Sequence, residues 1–163
     1  MTAIFSPCGT RRLRLDWDLG REGPKALMIG VNPSVAGADV NDQTITKDIG
    51  FGERLGWGWL IKTNCFDAIS TDIKGLRLIE RPSSPENDAY IEQAMREADI
   101  IVGCWGPLSK LPKHLRKRWT TIAKIAEEVG KPIMCFGTAK DGQPLHTSRL
   151  AYDTPLIPWV RPR

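Results

Sequence analysis

The chain is poor in metal-ligating side chains: 163 residues hold two histidines and four cysteines, and no two cysteines form a C-x-x-C pair. That scarcity argues against a structural zinc site, which needs four nitrogen or sulfur ligands at short spacing. Cys8, Cys65, Cys104 and Cys135 stand far apart, three of them in apolar runs, and read as buried free thiols of a reducing compartment. No run approaches the roughly eighteen apolar residues of a membrane span. The opening MTAIFSPCGTRRLRLDWDLG has no long apolar stretch behind a basic start, so no signal peptide is expected and the cytoplasm is the expected location. The G-x-x-x-x-G-K-[ST] phosphate loop and the G-x-G-x-x-G dinucleotide fingerprint are both missing. So are repeats, low-complexity tracts and interdomain linkers, which leaves a single domain over residues 1–163 as the expected organisation.

The composition, 41% hydrophobic and 26% charged, is that of a soluble globular chain. A net charge of +4 gives a mild bias toward acidic partners. Four short apolar runs, ALMIGV (26–31), WLIKTNCF (59–66), DIIVGCWG (99–106) and KPIMCFG (131–137), each suit one strand. Helical patterns lie between them. TITKDIGFGERLG (44–56) is interrupted by glycines, whereas SPENDAYIEQAMREAD (84–99) has Ser84 to cap, Pro85 in the first turn and early acidic residues. PKHLRKRWTTIAKIAEEVG (112–130) stacks Leu115, Trp119, Ile122, Ile125, Ala126 and Val129 at helical spacing and ends on Gly130. Strands alternating with helices predict a three-layer α/β/α sandwich around a short parallel sheet. RRLRLDW (11–17) alternates like an edge strand or hairpin, and the closing IPWVRPR reads as a surface tail.

Ligands of open α/β sheets bind beyond the carboxyl ends of the strands, which directs attention to four loops. Asn32 and Ser34 follow the first run. The Asn32 amide can hold a water or grip a base or phosphate oxygen, and can equally bond its own turn. Ser34 can cap the next segment or donate to phosphate. AGADVNDQTITKD (36–48) brings Asp39, Asp42 and Asp48 close together, where Asp42 can polarise water or cap the next helix and the trio can alternatively hold magnesium through a phosphate, without a signature for it. Asn64, ending the second run, offers both donor and acceptor to a nucleobase amide edge, with Asp67 near enough to orient it. Phe66 and Trp105 lie past strand ends, where they can stack on a planar ring or pack in the core. His146 can donate to a developing oxyanion, with Lys140, Ser148 and Arg149 as phosphate contacts. Lys110, Lys113, Arg116, Lys117 and Arg118, with His114 among them, form the densest basic cluster, suited to a phosphate backbone or to a solvated helix start.

Taken together, NPSVAGADVNDQTI, TNCFDAIST, PENDAYI, the Trp-Gly after the third run and GTAKDGQPLH resemble the DUF1643 family over residues 28–146. That family is similar in fold to the uracil-DNA glycosylase superfamily. The resemblance implies a four-stranded parallel sheet of order 2-1-3-4 with helices on both faces. It also implies that Asn32 in GVNPS takes the water-positioning place and that Asn64 takes the base-reading place. The last glycosylase motif is His-Pro-Ser; here it reads His146-Thr147-Ser148, without the proline.

The resulting expectation is an N-glycosidic hydrolase acting on a modified or damaged base. Asn32, Asp42 and His146 are the catalytic candidates, with no metal or cofactor, and nucleic acid, DNA favoured, is the expected partner. Hydrolysis of free nucleotides or nucleosides and non-catalytic binding are the alternatives.

Overall fold

The structure, a computed structural model, describes residues 1–34 and 43–163. Its centre is β3 (Lys25–Gly30), whose alternate residues serve two cores. Leu27 and Ile29 point to one face and Ala26 and Met28 to the other, all fully buried. A strand covered on both faces has no polar side to show, which is why ALMIGV reads as an unbroken apolar run. β4 (Trp59–Asn64) and β5 (Ile100–Gly103) pair with β3 in parallel, and β6 (Ile133–Cys135) pairs in parallel with β5.

These four strands form the middle of a wider, mixed sheet. β1 (Thr2–Phe5) and β2 (Arg12–Asp18) form an antiparallel hairpin, and β2 runs antiparallel to β4. At the other edge β7 (Ile157–Pro158) is antiparallel to β6. The expected N-terminal edge strand or hairpin is β1–β2, and the expected four-stranded sheet is corrected, among the described residues, to seven strands in the order β1-β2-β4-β3-β5-β6-β7. The closing residues are part of the architecture rather than a tail. Pro158 is tolerated because β7 is an edge strand, and the Trp159 indole donates to the Gly142 carbonyl at 2.9 Å while meeting Trp105 edge-on at 5.3 Å.

Helices cover both faces. α2 (Pro85–Glu97) and α3 (Arg118–Val129) bury Ile91, Met95, Ile122 and Ile125 against the Leu27 and Ile29 side. α1 (Gln43–Arg54) buries Ile45 and Phe51 against the Met28 and Leu60 side. Each such fully buried side chain contributes about 1.5–3 kcal/mol. The glycine-broken pattern of α1 has a packing cause: a Cβ on Gly50 would lie 2.5 Å from the Tyr152 ring.

α2 starts as expected. Ser84 caps it by accepting from the Asn87 N–H at 3.2 Å, an interaction worth about 1 kcal/mol. α3 starts later than the sequence pattern suggests, because Pro112 opens a separate 3₁₀ turn, Lys113–Leu115, closed by the Leu115 N–H on the Pro112 carbonyl at 3.0 Å. Among the described residues, no helix is long and apolar enough to cross a membrane.

Candidate functional site

A cavity of about 60 Å³ lies at the carboxyl ends of β3 and β4. Arg12, Asn32, Ser34, Lys62, Asn64 and His146 line it, with Gly30, Val31, Thr44 and Ile45 between them. Topology explains the gathering: β3 and β4 are adjacent and parallel, with Gly30 opposite Asn64, so their terminal loops open on the same edge. β2 delivers Arg12 from its first position.

Lys62 and Asn64 are two residues apart on β4 and therefore share one face, the α1 side where Leu60 also packs. The Lys62 ammonium is buried and donates to Asp48 Oδ2 of α1 at 2.6 Å. Burial opposes its charge, yet the attraction of the Asp48 carboxylate outweighs that cost, and the Lys62 pKa is raised. Thr147 Oγ1 donates to the other Asp48 oxygen at 2.6 Å. Behind the ammonium, the Cys104 thiol donates to the Ile29 carbonyl at 3.2 Å; burial pushes its pKa up to about 12, so it remains a neutral thiol.

Asn64 is 3% exposed, and its carboxamide makes no hydrogen bond among the described residues. The group lines the cavity, where a ligand or ordered water can reach it. Gly30 keeps the space in front of it open: a Cβ there would lie 2.8 Å from Asn64 Oδ1 and 3.2 Å from Lys62 Nζ. Asn32 Nδ2 is committed to the turn, donating to the Pro33 carbonyl at 3.1 Å and to the Ser70 carbonyl at 2.9 Å. Its Oδ1 is the atom left to accept from water. His146 Nδ1 accepts from the Ser148 N–H at 3.2 Å, which places the proton of a neutral imidazole on Nε2.

The structure thus brings Asn32, Ser34, Asn64 and His146 to one cavity and places the other expected residues elsewhere. Asp42 and Asp39 lie outside the described residues. Asp67 is fully buried under the start of α2, where it accepts from the Ser84 N–H at 3.1 Å, from the Ser84 hydroxyl and from Arg11 at 2.8 Å. Phe66 and Trp105 belong to the α2–α3 core, and the Trp105 indole donates to Gln143 Oε1 at 2.8 Å. Lys140, Ser148 and Arg149 are exposed. Within the basic cluster, Arg118 bonds the Cys65 carbonyl at 2.7 Å and Asp88, and Arg116 bonds the Leu111 carbonyl at 3.1 Å. Lys110, Lys113 and Lys117 are exposed.

Sequence reasoning overlooked Arg12, Lys62 and Thr147. For Lys62 a signal existed: a lysine inside an apolar strand, in step with Asn64, must find a buried counter-charge. Arg12 carried no distinguishing signal beside Arg11 and Arg14.

The cavity lining carries two cationic side chains and, among the described residues, no carboxylate. It can hold an oxygen-rich or partly anionic group, and its carboxamides can read a donor–acceptor edge. Among the described residues, no group of three or more potential ligands could hold a metal ion.

The family model for DUF1643, described as a protein of unknown function, matches residues 12–147. The chain belongs to that family. No curated protein and no solved structure matches it.

Proposed function

We propose that this member of the DUF1643 family hydrolyses the N-glycosidic bond between base and sugar in nucleic acid, DNA favoured, with a modified or damaged base as its target. The observation that carries the reading is the buried Asn64 carboxamide, which bonds no side chain or backbone group among the described residues and faces a cavity at the strand ends. The parallel order β4-β3-β5-β6 with helices on both faces supports a uracil-DNA glycosylase-like arrangement. The free cysteines suit a reducing, cytoplasmic setting.

In this reading a flipped base enters the cavity mouth, and Asn64 offers it a donor and an acceptor. The bond between the base nitrogen and C1′ breaks, and its electron pair stays with the base. Nε2–H of His146 and the Lys62 ammonium stabilise the charge gathering on the base oxygens. Water held by Asn32 Oδ1 adds to C1′, and its proton leaves to the base or to solvent. Asp42 is proposed as a second group acting on that water.

A second reading, binding without hydrolysis, draws support from the lining without a described carboxylate and from Thr147 in the position where the glycosylase motif has proline. Free nucleotides are the alternative substrates. Base release from single- and double-stranded DNA carrying uracil, mismatched thymine, hydroxymethyluracil or alkylated bases, followed by mass spectrometry, separates these readings. Release that disappears in Asn32→Ala and His146→Ala supports hydrolysis. Tight binding with no release from any substrate favours the binding module.

A further inference from the structure

A second groove, of about 200 Å³, lies on the same edge of the sheet, between the segments that follow β4 and β5. Lys74 and Arg77 come from the 3₁₀ turn Ile73–Leu78, and Lys110 from the 3₁₀ turn Leu108–Lys110; Ser109, Leu111 and Pro112 supply the remainder of the lining. The two segments are more than thirty positions apart in sequence, so the sequence pattern alone shows only half of this charge.

All three cations are exposed, and none makes a side-chain hydrogen bond or ion pair among the described residues. Among the described residues, the lining contains no carboxylate. Three other surface grooves carry both signs: Arg96 beside Glu92 and Glu97, Arg161 and Lys131 beside Glu127, and Lys131 beside Asp99. Concentrated charge of one sign without counter-charges is the electrostatic footprint of a polyanion track. Lys113, also exposed, extends the line just beyond Pro112.

The groove is tied to the cavity by backbone. The Ser70 N–H donates to the Pro33 carbonyl at 3.0 Å, and the Ser70 carbonyl accepts from Asn32 Nδ2 at 2.9 Å. Two residues later Asp72 caps the turn carrying Lys74 and Arg77, accepting from the Lys74 N–H at 2.9 Å. The loop that closes the cavity and the loop that builds the groove are therefore one hydrogen-bonded unit.

We infer that the juxtaposition of Lys74, Arg77 and Lys110 forms a docking track for the phosphate backbone of a nucleic-acid strand. This rests on the proposed base-directed site and deepens it: the substrate is a polymer, gripped beside the cavity, and not a free nucleotide. Arg116 and Arg118 serve the fold, and the track runs through Lys74 and Arg77 in their place.

The test is equilibrium binding of a fluorescent, unmodified single-stranded oligonucleotide across a salt series. It is made with the full chain and with Lys74→Gln, Arg77→Gln, Lys110→Gln and, as a control on total charge, Lys124→Gln from the exposed face of α3. Each groove variant is expected to bind several-fold more weakly and to lower the slope of log affinity against log salt by about 0.7, the contribution of one single-strand phosphate contact. The control is expected to match wild type. Equal loss in the control, or no loss in the groove variants, overturns the track. Anionic phospholipid vesicles that bind in a groove-dependent way while the oligonucleotide does not would overturn it in favour of a membrane surface. Binding needs no base release, so the track can fail while hydrolysis stands, and the reverse.

Discussion

Lys62 Nζ lies 2.6 Å from Asp48 Oδ2, and Thr147 Oγ1 lies 2.6 Å from Asp48 Oδ1, so one buried carboxylate joins β4, α1 and the His146 loop. Removing the ammonium leaves that carboxylate uncompensated. Lys62→Met is expected to lose about 3–5 kcal/mol of stability in urea unfolding. Replacing Asp48 by Leu in the same chain should recover a large part of the loss, since an apolar pair of similar volume is often neutral.

The two ends of the pH scale act on different pairs. The Lys62 pKa is raised in the fold. Its stabilisation is therefore complete below the unfolded lysine value of about 10.4 and is lost as pH rises through the higher folded value. Glu97 is the opposite case: its hydrogen bond from Arg14 at 2.6 Å lowers its pKa. That stabilisation is present above the unfolded glutamate value of about 4.3 and is lost as pH falls through the lower folded value. Thermal unfolding should show a Glu97→Gln penalty at neutral pH and its disappearance in acid, while the Lys62→Met penalty persists from neutral to strongly alkaline pH.

Gly30→Ala probes the cavity without removing a polar group. Its Cβ would lie 2.8 Å from Asn64 Oδ1 and 3.2 Å from Lys62 Nζ. Overpacking of this kind costs about 1–3 kcal/mol, so the folded state should persist with a lower Tm. Base release should fall about 100-fold, as expected when reacting groups are displaced by about 1 Å. Circular dichroism melts and the release assay on the same preparation check both parts.

Cys8 is fully exposed, and the hydroxyls of Ser6 at 3.4 Å and Thr10 at 3.0 Å lower its pKa to about 7. Cys65 and Cys104 are buried, and burial raises both to about 12. Iodoacetamide at neutral pH should label Cys8 alone, at a rate that climbs as pH passes 7. Peptide mass mapping reads the site, and Cys8→Ser should abolish the labelling.

Much of the fold was legible from pattern because its central strands are covered on both faces. Burial of Leu27, Met28 and Ile29 leaves an apolar signature that needs no tertiary knowledge. β7 was illegible for the opposite reason: it is two residues long, contains Pro158, and is defined by pairing with β6 rather than by its own composition. The start of α3 was obscured because Leu115 continues the helical spacing across a 3₁₀ turn that Pro112 sets. Asn32, Asn64 and His146 stood out as polar residues at strand ends or in a loop. Phe66, Trp105 and Asp67 carry the same local signature, yet Phe66 and Trp105 fill the α2–α3 core and Asp67 supports the start of α2. Which face a residue takes past a strand end is decided by the chain that packs there, and that information is not local.

The central claim is that Asn64 reads the base. The most direct test is base release by wild type and Asn64→Asp from oligonucleotides that differ only in the target base. A carboxylate keeps the acceptors and loses the amide donor. Preference should shift from bases presenting a carbonyl to bases presenting an exocyclic amine, by 10-fold or more, the scale of one buried hydrogen bond of about 1.5–3 kcal/mol. Unchanged preference, with activity retained, would contradict the assignment of Asn64 and with it the account of the cavity as a base-reading site.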